Sequence, residues 1–194
     1  MKSTPKELPV ILFEHKKDWE TWLDENHTTS GGIWLRIAKK ASGLQSISYD
    51  EALEVALCYG WIDGQKKTYD ETSYLQKFTP RGAKSIWSKI NTEKAEKLIE
   101  RGLMQPSGLK AIESAKQDGR WQAAYDSFSK ASVPEDFQAE LDKNPQALAF
   151  FATLNQQNRY AILFRIQTAK KPETRAKRIQ HFISMLEKNE KLYP

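Results

Sequence analysis

Two hydrophobic periodicities run through this chain, and they occupy different stretches of it. Alternating, β-branched and aromatic runs end at Pro80, and beyond that point apolar residues recur at helical spacing. A doubly wound parallel sheet needs strands and helices to alternate along the chain, so this segregation points to an α+β fold. The expectation is a small antiparallel sheet with helices in the N-terminal part, followed by an all-helical C-terminal part. A soft boundary falls near Ser127–Pro134, where element type and charge balance both change. It suggests an α+β domain over 1–127 and a helical domain over 128–194.

Local signals fill in this outline. Trp19, Trp22 and Leu23 share one face of a helix spanning His15 to Asn26. Ile33–Ala38 alternates as a strand rich in β formers. Ser48-Tyr49-Asp50-Glu51 has the form of a capping box, and the helix it opens is apolar on most sides and ends at Gly60. Trp61–Tyr69 and Ser73–Thr79 flank a short polar connection, which predicts an antiparallel hairpin stopped by Pro80. Asn91 is placed to cap a helix that turns Ala95, Leu98 and Ile99 inward. A helix follows from about Gly108 to Gln117, another is capped by Asn155, and Pro134, Pro145 and Pro172 sit where first helical turns are expected.

Composition narrows the function classes. A single cysteine, Cys58, cannot form an internal disulfide. The apolar run Leu8–Phe13 is too short for a signal segment, and no stretch has the length of a membrane span. The expected compartment is therefore cytoplasmic. The net charge is +5 and is unevenly spread: residues 1–127 carry 19 Lys and Arg against 18 Asp and Glu, residues 128–194 carry 11 against 7. His15, His27 and His181 lie far apart and none forms a ligand-spaced pair, so neither a metal site nor a cofactor is expected. Cys58 lies in an apolar helix, where a thiol reads as a small buried hydrophobe rather than a nucleophile.

Two segments concentrate other chemistry. Gly60–Asn91 gathers Trp61, Phe78 and Trp87 with Asp63, Arg81, Ser85 and Asn91, and aromatic walls with a few polar groups are the substance of ligand pockets. There the Arg81 fork could hold an anion or a peptide carboxylate. The competing structural reading makes Asp63 a turn former, Arg81 its partner and Ser85 a cap. The second segment is Ala169–Ile179, with Lys170, Lys171, Arg175, Lys177 and Arg178 on or just before one helix start. Positive charge there opposes the helix dipole, so local stability does not ask for it. It reads either as a polyanion-docking surface through Lys170, Lys171, Arg175 and Arg178, or as a solvated face paired with acids such as Asp136 and Glu140.

Four stretches also carry a resemblance. CYGWIDG, FTPRGAKSIWSKIN, ERGLMQPSG and AKKPETRAKRI resemble, in this order, the signature of the YdeI/OmpD-associated proteins, whose C-terminal part is also called a bacteriocin-protection domain. The resemblance runs over roughly Leu12 to Leu186, and departs where Gly82 and Ala83 follow Arg81 in place of more basic residues. It implies a bacterial protein, an N-terminal region distantly similar to YjbR/CyaY-like folds, a helical C-terminal region, and a link to tolerance of bacteriocins or antimicrobial peptides. It carries over no catalytic residues. Three readings follow. The first is a binding or interaction protein whose partner is a small molecule, peptide or protein. The second is a protein that binds nucleic acid through the basic C-terminal helices. The third is an enzyme built on Asp63 with Ser85 or Ser88, which lacks a histidine or second carboxylate beside them.

Overall fold

A computed structural model of the chain describes residues 7–127 and 132–194. Within them lie a four-stranded sheet and eight α-helices, an α+β architecture with the later helices following the sheet. The elements run β1 (Val10–Ile11), α1 (Lys16–Asn26), β2 (Ile33–Ala38), α2 (Tyr49–Cys58), β3 (Trp61–Thr68), β4 (Ser73–Pro80), α3 (Lys89–Glu100) and α4 (Pro106–Gln117), then α5 (Glu135–Asp142), α6 (Pro145–Thr153), α7 (Gln156–Gln167) and α8 (Pro172–Glu187).

The sheet order is β1-β2-β4-β3. β2, β4 and β3 pair antiparallel, but β1 lies parallel to β2, so the sheet is mixed and not purely antiparallel as expected. The reason is a single crossover: α1 carries the chain from β1 back to β2, and parallel neighbours need such a connection. β1 is two residues long and follows Pro9, whose carbonyl accepts from the Trp34 amide at 2.8 Å. A strand that short leaves no alternation to read.

The register sorts the side chains onto two faces. Directly opposed residues share a face, so Leu35, Gln76 and Lys66 form one row and Arg36, Leu75 and Lys67 the next, on the other face. The first face turns inward. Ile33, Leu35 and Phe78 are fully buried on it, and Trp19 of α1 meets Phe78 at 5.8 Å and Trp61 edge-on at 6.2 Å. Both buried indoles keep a hydrogen bond, Trp19 to the Ala52 carbonyl at 3.1 Å and Trp61 to the His27 carbonyl at 3.2 Å. That is the condition under which a polar N–H can be buried at little cost.

α2 is held at its start by the expected capping box: the Ser48 hydroxyl accepts from the Glu51 amide at 3.2 Å, and the Glu51 carboxylate accepts from the Ser48 amide at 2.9 Å. Its end meets α4 closely. Gly60 has φ +74°, and a Cβ on it would stand 2.9 Å from the Ser107 carbonyl oxygen. A Cβ on Gly108 would overlap the Cys58 carbonyl, which instead accepts from the Gln105 amide at 3.0 Å. Gly60 of CYGWIDG and Gly108 of ERGLMQPSG therefore serve one helix–helix approach.

Four local expectations are corrected. α3 starts at Lys89, so Asn91 lies buried inside its first turn rather than capping it, and Ile99 is exposed. α4 starts at Pro106, with proline in its first turn, rather than at Gly108. Pro134 is the cap residue of α5, whereas Pro145 and Pro172 do occupy first turns.

The chain divides into two compact units. One holds the described residues up to Ile86 together with Asn91–Gln122; the other holds Trp87–Ile90 with the described part of Ala123–Pro194. The second unit is built on α5 to α8 around Phe137, Leu141, Phe151, Ile162, Ile166, Ile179, Phe182 and Leu186. The side-chain oxygens of Asn144 and Asn155 cap α6 and α7 at 3.1 and 2.9 Å.

Candidate functional site

The residues expected to line a pocket in Gly60–Asn91 are mostly spent on folding. Trp61 is 1% exposed and Phe78 is 0%, both inside the aromatic core. Trp87 is 2% exposed and belongs to the second unit, while Asn91 is 7% exposed in α3. Asp63 does not form a turn. It sits in β3 opposite Phe78 and accepts from the Tyr49 hydroxyl at 2.9 Å. Burial, then the charge of Asp63, pushes the Tyr49 phenol far above its ordinary range, so its hydroxyl stays protonated and donates to Asp63.

Arg81 and Ser85 fix a turn. The Arg81 amide donates to the Gly60 carbonyl at 3.0 Å and its guanidinium to the Ile86 carbonyl at 3.2 Å. The Ser85 hydroxyl accepts from the Gly82 amide at 3.0 Å, and the Ser85 carbonyl accepts from Arg120 at 2.9 Å. The side chains are near in sequence, but the aromatic ones are buried, Arg81 and Ser85 serve a turn, Asp63 lies in β3 and Asn91 in α3.

Cys58 is buried, and burial pushes its thiol up to about 11, the opposite of an activated thiolate. Among the described residues, no three His, Cys, Asp or Glu side chains gather.

In the basic run of α8, half of the expected docking charge is engaged internally. Arg175 grips Asp136 with two hydrogen bonds, at 2.6 and 2.7 Å, and donates a third to the Ile166 carbonyl at 2.9 Å. The Arg175 hydrogen bonds hold the Asp136 carboxyl below its usual range. Arg178 donates to the Arg165 carbonyl. Lys170 and Lys171 are exposed.

A different cluster is assembled by the fold. At the end of the sheet where β2 leaves and β4 enters, Ala38, Lys39, Lys40, Lys66, Lys67, Thr68 and Tyr74 line an open groove of about 600 Å³. Lys66 lies 4.0 Å from the centre of the Tyr74 ring, and Lys67 lies 4.2 Å from that of Trp34. Lys77 approaches Trp34 at 5.9 Å, and Arg36 stands 5.0 Å from the ring of Tyr69, which is 51% exposed.

Asp70, whose carbonyl accepts from Lys39 of this groove, has its carboxylate satisfied locally. One oxygen accepts from the amides and hydroxyls of Thr72 and Ser73, and the other from Arg36 at 2.7 Å. Hydrogen bonds led by Ser73 lower its carboxyl to about 2. Lys39 caps the same turn through the Asp70 carbonyl at 2.7 Å.

Lysines on an edge strand also blunt it against sheet extension, which accounts for Lys66 and Lys67 on β3. It does not account for Lys39 and Lys40, which follow the interior strand β2. Sequence reading missed the groove because each lysine pair is unremarkable alone. The only signal was their position at two strand ends, and β4 has to pair with both strands before they face each other.

Comparison with known proteins gives two family matches. Residues 11–111 match a domain of unknown function, DUF8412, and residues 130–189 match the family described as bacteriocin-protection, YdeI or OmpD-associated. No curated protein and no solved structure matches the chain.

Proposed function

This chain belongs to the DUF8412 family over residues 11–111 and to the bacteriocin-protection, YdeI or OmpD-associated family over residues 130–189, and from that premise we propose that it is a cytoplasmic binding protein that takes an anionic partner. Its role is in tolerance of bacteriocins or antimicrobial peptides, and it performs no chemistry of its own. The likeness of the N-terminal region to YjbR/CyaY-like folds belongs to the same proposal and rests on the family resemblance.

The observation that carries the reading is the groove lined by Lys39, Lys40, Lys66 and Lys67, with Lys66 over the Tyr74 ring. Four like charges at one end of the sheet repel one another and raise the local concentration of anions. Such an arrangement costs stability unless an anion relieves it. What supports binding over catalysis is the state of the reactive groups: Cys58 buried with a raised thiol, Asp63 held by Tyr49, and Ser85 taken up in its turn.

The test is a thermal-shift titration with inorganic polyphosphate at low and moderate salt. A rise in Tm that shrinks with salt, and is lost when Lys66 and Lys67 are both changed to Glu, is expected. An unchanged rise in that double variant contradicts the assignment. A second reading places polyanion binding on α8. It is favoured by the exposed Lys170 and Lys171 alone, since Arg175 and Arg178 donate within the unit.

A further inference from the structure

We propose that α7 carries a binding site for a small aromatic carboxylate, a fused-ring or single-ring molecule with one negative charge. Gln157, Tyr160, Ala161, Phe164 and Arg165 recur at helical spacing along α7, and with Tyr193 they line a cavity of about 330 Å³. That is the small end of the range for small-molecule sites, about 300–1,000 Å³. All six residues belong to the second unit, and none lines the lysine groove.

α7 has apolar residues on two sides. Ile162, Leu163 and Ile166 are buried in the core of the unit, whereas Tyr160, Ala161 and Phe164 form a second stripe that is only half-buried. Packing against one core asks for one such stripe. The rings of Tyr160 and Phe164 lie 5.8 Å apart, and Tyr125 stands edge-on to Phe164 at 4.9 Å. Tyr193 is fixed through its backbone. Asn158, 1% exposed, accepts from the Tyr193 amide at 2.9 Å and donates to its carbonyl at 3.2 Å. A wall held in position before the ligand arrives lowers the ordering cost of binding.

Arg165 sets the charge of the ligand. Among the described residues no carboxylate pairs with its guanidinium, which lies 5.9 Å from the centre of the Tyr193 ring. Its hydrogen bonds, 3.4 Å to the Ala161 carbonyl and 3.5 Å to the Tyr193 hydroxyl, are at the long limit for an N–H donor. Arg175 on α8 is the contrast, with bonds of 2.6 and 2.7 Å to Asp136. A ligand carboxylate can take two N–H groups of Arg165 side by side. One guanidinium balances one negative charge, whereas a phosphate dianion would bring a second, unbalanced charge against aromatic walls. The ligand ring then packs on the rings of Tyr160, Phe164 and Tyr193.

The experiment is an amide chemical-shift titration of the full chain with naphthoate. Naphthamide keeps the rings without the charge, and cyclohexanecarboxylate keeps the charge without an aromatic ring. Saturable shifts are expected at residues 157–165 and at Tyr193. The amide and the alicyclic acid should each bind at least about tenfold more weakly. Inorganic polyphosphate should not displace naphthoate. Arg165→Met should erase the preference for the acid over the amide, and Tyr193→Ala should weaken both about tenfold.

Equal binding of acid and amide, unchanged in Arg165→Met, would make the cavity a plain apolar trough and overturn the proposal. Shifts confined to the lysine groove would overturn it too, while leaving the groove standing as an anion site. An absence of any saturable shift along α7 would end it outright.

Discussion

The two basic regions of this protein look unequal in the sequence and exchange rank in the structure. Ala169–Ile179 packs five basic residues into one run, whereas Lys39-Lys40 and Lys66-Lys67 are separate doublets in a nearly neutral stretch. In the fold, the run spends Arg175 on Asp136 and the Ile166 carbonyl, and Arg178 on the Arg165 carbonyl. The doublets instead line one groove at the end of the sheet, where only Lys39 is spent on a backbone carbonyl, that of Asp70. Density of charge along a chain measures how many cations are present. Whether they are available to a partner depends on which carbonyls and carboxylates the fold brings to them.

The largest effects separate packing from recognition. Trp61→Ala or Phe78→Ala, at positions that sequence reading assigned to a ligand wall, should cost about 3–5 kcal/mol in chemical denaturation, as deletion of a fully buried aromatic does. A loss under about 1 kcal/mol would mean that these rings line space rather than fill it. Next, reversing Lys39, Lys40, Lys66 and Lys67 together should lower polyanion affinity about a hundredfold or more. It should flatten the dependence of log affinity on log salt by about one per lysine removed, while the unfolding midpoint stays within a few degrees or rises.

A smaller effect is expected in the C-terminal run. Arg175→Ala should destabilise the second unit by about 1–2 kcal/mol, the bidentate pair with Asp136 being about half exposed and discounted for solvent, and leave polyanion affinity unchanged. Affinity lost without stability would restore the run as the docking surface.

The smallest effect concerns pH. Asp70 is depressed to about 2 against an unfolded value near 3.9. Its contribution is therefore fully present above the unfolded value and is lost as pH falls through about 4 to about 2. Asp136 acts with the same sign. An acid titration of stability should lose this part of its slope in Asp70→Asn.

Much of the architecture was legible because its signals are local. The capping box at Ser48, the glycine at 60, the proline at 145 and the cap at Asn155 each report on a few neighbouring residues. The parallel strand β1 was not legible, since its identity lies in pairing with Trp34 and Leu35 rather than in Val10 and Ile11 themselves. The same holds for Trp87–Ile90, which join the second unit through hydrogen bonds between Tyr125 and the backbone of Trp87 and Lys89, with 35 or more residues between the partners. The groove failed for that reason too. The aromatic wealth of Gly60–Asn91 is real, but aromatic residues at alternating positions of a strand fill a core as readily as they line a pocket, and only burial distinguishes the two.

The most direct test of the groove as the recognition surface is amide chemical-shift mapping of the full chain during titration with inorganic polyphosphate. Shifts concentrated at Lys39, Lys40, Lys66–Thr68 and Tyr74, with residues 165–178 unmoved, are expected. Shifts confined to residues 165–178, with the sheet end silent, would contradict it.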